Sequence, residues 1–135
     1  MDSRHLVSPL GILTAIAFSF ALLNFVVKFI NKKYIIKLDK AKNHFIVYYT
    51  KIMLFIVKNH KIAGITALIF MLLHFSTAFI SHRIKITGII AATIMLIIAI
   101  LGIYAKLNKK VKGTWLTVHR TLAFILIVAL IFHIL

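Results

Sequence analysis

From Pro9 to Val27 the chain carries no charged residue, and three further stretches, at about 59–80, 84–105 and 114–135, are nearly as apolar. A helix of about 20 apolar residues is long enough to cross the hydrocarbon of a bilayer. In lipid the backbone must satisfy its own polar groups, which leaves helices and closed barrels as the spanning structures. A hydrophobic content of 62% also lies far above that of a soluble domain. The expected fold is therefore an all-α membrane protein: a four-transmembrane-helix bundle with spans at about 9–30, 59–80, 84–105 and 114–135, in one membrane domain covering 1–135.

The connections refine this picture. Ser8 and Pro9 form a helix start, with Ser8 as N-cap and proline at the first helical position. Ala15-Ile16-Ala17 resembles a signal-peptide cleavage site, but the apolar run continues ten residues past it and only one arginine precedes it. Thr14, Ser19 and Asn24 are expected to make helix-packing contacts. A basic cytoplasmic loop fills 31–58, and its part 43–58 is expected to be an interfacial amphipathic helix before the second span, with Tyr48 and Tyr49 in the headgroup zone. The alternative there is one long tilted span over 53–80. Ser81-His82-Arg83 is so short a link that the third helix must return antiparallel beside the second. Gly88, Ala91 and Ala92 form a small-residue patch for close helix contact. Lys106 to Gly113 is a second basic loop, followed by Trp115 as an interfacial anchor.

The segments Lys28–Lys61 and Lys106–Arg120 hold fourteen of the 17 cations, against Arg4, Arg83 and Lys85 elsewhere. The positive-inside rule then puts those two segments in the cytoplasm and both termini outside, in a multi-pass plasma-membrane protein. The abundance of isoleucine and lysine is that of an AT-rich bacterial genome. The net charge of +15 is explained by the same rule, and no nucleic-acid partner is expected. The chain has no cysteine, which excludes disulfides, thiolate metal sites, iron–sulfur clusters and covalently attached heme. Its only acids, Asp2 and Asp39, lie outside the apolar runs, so carboxylate catalysis, hard-cation sites and a buried proton relay have no residues to run on. No catalytic residue is identified; any chemistry must come from a bound cofactor, a metal or a partner.

One spacing recurs within the apolar runs. Residues 60–74 read HKIAGITALIFMLLH and 119–133 read HRTLAFILIVALIFH, each a pair of histidines with thirteen residues between. Fourteen residues at about 100° each fall 40° short of four turns, so both histidines of a pair share one helix face, roughly 21 Å apart. Histidine is costly within a bilayer and usually faces a functional interior. The second and fourth helices run the same way, so His60 pairs with His119 toward the cytoplasm and His74 with His133 toward the outside. Two imidazoles at each depth suit bis-histidine iron better than zinc or copper, which need three or four close ligands. The expected cofactor is heme b, two per chain, or one if His133, two residues from the last residue given, does not ligate. Gly64 and Ala123, one turn after His60 and His119, leave room for a flat macrocycle. Lys61 and Arg120 are placed to meet heme propionates, or else to snorkel to the interface. His5, His44 and His82 read as ordinary interfacial residues.

H-K-x-x-G with a second histidine fourteen residues on, then W-x-x-x-H-R with another, resembles the ferric reductase-like transmembrane domain, and ascorbate-linked transmembrane cytochromes b use similar logic. The likeness covers about 59–135. It implies that His60, His74, His119 and His133 ligate two stacked hemes passing electrons across the membrane. Members of that family often have six spans and a flavin- and nicotinamide-binding domain. Here there are four spans and no glycine-rich dinucleotide fingerprint, so the electron donor would be a separate reductase, a quinone or a small reductant. Two other functions fit the sequence: heme capture, buffering or sensing without turnover, and a cofactor-free accessory subunit whose histidines only pack.

Overall fold

The computed structural model describes residues 4–38, 44–108 and 113–135. They form four α-helices, α1 (Arg4–Lys33), α2 (His44–Ile80), α3 (Ile86–Leu107) and α4 (Thr114–Ile134), with a 3-10 turn at Ile35–Lys37 after α1. No strand occurs among the described residues. All four helices are long and apolar enough to cross a membrane. Side chains such as Ile16, Phe29, Ile69 and Ile100 are more than half exposed, as a lipid-facing surface requires. Parts of both expected basic loops, residues 39–43 and 109–112, lie outside the described residues, as do Asp2, Asp39 and the side chain of His5.

One boundary differs from the sequence expectation. The first helix starts at Arg4, so Pro9 sits inside it rather than opening it behind a Ser8 cap. Near the open end of a helix a proline removes only one backbone bond, and the apolar flanks propagate the helix past it. The helix expected over 43–58 runs into the second span as expected, and the two form a single 37-residue helix. No glycine or proline lies between His44 and Ala63, so nothing in the backbone provides a bend. At 1.5 Å per residue α2 is about 55 Å long, well beyond the ~30 Å of hydrocarbon.

The chain divides into two compact units, one of residues 15–67 and one of residues 1–14 with 68–135. In the first, the α2 segment after His44 runs antiparallel to α1. Phe20 and Phe55 meet edge to face with centroids 6.3 Å apart, and the Tyr49 hydroxyl donates to the Val27 carbonyl. Phe18, Ala21, Val27, Ile46, Ile56 and Ala67 form its buried core.

In the second unit α3 lies antiparallel along α4. Trp115 Nε1 donates to the Leu101 carbonyl at 3.0 Å, and its ring sits 4.9 Å from that of Tyr104. The expected interfacial anchor thus spends its polar atom inside the helix pair. Gly102 lies against His119 and Gly88 against His133, which sets the register. That register brings Met95 level with Leu126, both buried. Glycine, methionine and glycine therefore recur every seven residues on α3 opposite histidine, leucine and histidine on α4, a coiled-coil period.

The α2–α3 link is a Schellman turn. The amide of Arg83 donates to the Ala78 carbonyl at 2.9 Å and that of His82 to Phe79 at 3.1 Å, with His82 in the left-handed region at φ 52°. Glycine holds that conformation without the Cβ penalty, so His82→Gly should raise stability by about 1 kcal/mol. Thermal unfolding in detergent checks this; a lower midpoint would mean that the exposed imidazole makes a contact worth more than the strain.

Candidate functional site

The histidine faces of α2 and α4 are their buried faces. Ala67, midway between His60 and His74, is 1% exposed, and Leu126, midway between His119 and His133, is 0% exposed. Seven residues from such a position is two turns less 20°, so each histidine points the same way as its buried neighbour.

Within the unit of residues 1–14 and 68–135, His74 and His133 come together. Their ring centroids are 6.1 Å apart with planes at 81°. His74 Nδ1 lies 2.8 Å from the Val7 carbonyl oxygen. A carbonyl only accepts, so the proton is assigned to Nδ1 and the lone pair of the neutral ring to Nε2. His133 Nδ1 is 3.1 Å from the Thr87 hydroxyl. Both rings seat against glycines: a Cβ on Gly11 would stand 3.1 Å from His74 Cε1, and one on Gly88 only 2.9 Å from His133 Cε1. Helices α1 and α3 thus each supply one hydrogen-bond partner and one side-chain-free surface for an imidazole of the neighbouring helix.

The device recurs in the unit of residues 15–67, where His60 Nδ1 donates to the Ala21 carbonyl at 3.0 Å. The two acceptors on α1, Val7 and Ala21, are fourteen residues apart, the same interval as the two histidines. Gly64, one turn from His60, has open space where a side chain would be. His119 is half-buried, and its Cε1 stands 3.8 Å from the position of a Cβ on Gly102. Ala123 is half-buried, while Lys61 and Arg120 are exposed.

The donor set is imidazole alone. Among the described residues no group of three or more histidines, cysteines or acids could hold a bare metal ion. Two imidazoles suit an iron that brings its other ligands in a macrocycle. The His74 and His133 rings stand 6.1 Å apart with their planes crossed, and these two side chains would hold such a group. The ligand nitrogen of a metal-bound histidine is usually oriented by a hydrogen bond from its other nitrogen, as at Val7. The donor chemistry of the two imidazoles fits a bis-histidine heme.

No family model, no curated protein and no solved structure matches this chain.

Sequence reasoning missed the α1 and α3 side of the site. Gly88 was expected to serve close helix contact, and the structure gives it the His133 ring instead. The signal that could have found it is the fourteen-residue interval between Gly88 and Gly102, which repeats the histidine interval on α3. Val7 and Ala21 act through backbone carbonyls and leave no mark in the sequence.

Two glycine substitutions should behave oppositely. Gly64→Ala meets no atom and replaces a poor helix former, so it should stabilise the chain by about 0.5–1 kcal/mol. Gly88→Ala drives into His133 and should cost about 1–3 kcal/mol of overpacking. Parallel thermal melts in detergent measure both; equal effects would mean that the His133 ring moves aside freely.

Proposed function

We propose that this chain is a b-type bis-histidine cytochrome core of the plasma membrane, which relays electrons between its two faces. The observation that carries the reading is the His74–His133 pair, crossed at 6.1 Å, with Nδ1 of one ring against the Val7 carbonyl and Nδ1 of the other against the Thr87 hydroxyl. His60 and His119 enter as a second pair on the sequence interval alone. Lys61 and Arg120 would neutralise propionates at the cytoplasmic end. A heme held by these imidazoles would supply one-electron transfer.

The chain's own residues supply the rest. The Val7 and Ala21 carbonyls keep the protons of His74 and His60 on Nδ1 and so direct Nε2 toward a ligand. The apolar faces between the histidines exclude water, which keeps the dielectric low around a charged iron. The long basic end of α2, with Lys51 and Lys58 exposed, suits the anionic cytoplasmic headgroups. The electrons would come from a separate reductase, a quinone or a small reductant.

The purified protein, loaded with heme during expression, should give a sharp low-spin b-type spectrum on reduction, with two hemes per chain by extraction. His74→Ala should lose one heme and keep the other. Wild-type protein that takes up no heme would end the cytochrome reading and leave an accessory subunit. One heme per chain, unchanged by His74→Ala, would remove the outer site from it.

A further inference from the structure

Hydroxyls in these helices follow one habit. Thr14, Thr50, Ser76, Thr77, Thr93 and Thr117 each donate to the carbonyl four residues back, the common outlet for a serine or threonine on a helix. Thr87 departs from it. It is the second residue of α3, so the residue four back, Arg83, lies in the turn before the helix. Its hydroxyl instead meets His133 Nδ1 across the helix pair at 3.1 Å. The adjacent Gly88 presses on the same ring, 2.9 Å from Cε1 to a Cβ position. Two consecutive residues of α3 thus grip one imidazole, one by a polar contact and one by shape.

The two imidazoles of this pair are held by different kinds of partner. His74 faces a backbone carbonyl, which can only accept and cannot turn. His133 faces a hydroxyl, which accepts and donates and rotates to suit. The ring planes stand at 81°, with one ring anchored on α1 and the other on α3.

We infer that Thr87 is the positioning residue for His133 as an axial ligand, accepting the proton of Nδ1 so that the ring stays crossed to His74 and Nε2 faces the iron. This rests on the heme reading above. An acceptor on Nδ1–H gives the imidazole more donor strength, which favours the ferric state. Removing it therefore raises the midpoint potential of that heme, and freeing the ring relaxes the crossed geometry. Crossed imidazoles give ferric heme one dominant large g value, whereas near-parallel ones give a rhombic set.

The test compares wild type, Thr87→Val and Thr87→Ser as full-length protein in detergent. In heme-loaded samples, Thr87→Val should raise one of two midpoint potentials and weaken the large-g signal, with heme content unchanged. Thr87→Ser, which keeps the hydroxyl, should restore both. Loaded Thr87→Val with wild-type potentials and spectrum would overturn the inference and leave the heme reading standing. In heme-free samples, nitrogen NMR of labelled histidine should find His133 protonated on Nδ1, and Thr87→Val should shift its tautomer. That shift in a protein that binds no heme would support Thr87 as the anchor of His133 while ending the cytochrome reading. Wild-type His133 protonated on Nε2 would overturn the inference directly, because the ligand nitrogen would then be blocked.

Discussion

A neutral imidazole carries one donor and one acceptor on opposite sides of a small ring, and an apolar medium penalises leaving either unused. The placement of α1 and α3 around the histidines follows from that constraint. Where an imidazole gives its proton to a helix carbonyl, as His74 does to Val7 and His60 to Ala21, the carbonyl takes a second bond beside its helical one. The neighbouring helix must then come close, and Gly11 permits this at His74. The donor is thus satisfied within the protein. Edge-to-face rings are also a favourable aromatic arrangement without any guest, so the decisive quantity is heme bound per chain.

Much of the fold was legible in the sequence because its cause is local. Uncharged runs near 20 residues long can do little in lipid except span it, and the helix α4 begins at Thr114 where it was expected. The fourteen-residue histidine interval identified the faces of α2 and α4 that turn out buried, with Ala67 and Leu126 at their centres. Lys51 does not interrupt α2. A lysine in an apolar stretch suggests a boundary, yet a long side chain on an exposed face can reach outward while the helix continues through it. The start of α1 was misplaced because a proline near a helix end is compatible both with opening the helix and with sitting one turn inside it.

The residues that the sequence did not yield share a property. Val7 and Ala21 contribute backbone oxygen, Gly11 and Gly88 contribute the lack of a side chain, and Thr87 contributes a hydroxyl diverted from its usual helical outlet. None is chemically conspicuous in one dimension. Each acquires a role only when a partner helix brings a histidine to it, and that partnership depends on register between segments as far apart as Val7 and His74. Composition and spacing describe the ligands; the helices that hold the ligands are described by packing.

The register of α3 against α4 limits how such a molecule can change. With glycine, methionine and glycine facing histidine, leucine and histidine at seven-residue steps, inserting a single residue between the histidines would rotate the second by about 100° and turn it away from its partner. Adding seven residues to each helix would keep every face aligned and move the two depths about 10 Å further apart. The separation between the levels is therefore not a continuous variable. It can change only in steps that return each residue to its face, such as seven or eleven residues, so a thicker bilayer would be met by tilting the helices or extending their ends, with the spacing between the histidines left as it is.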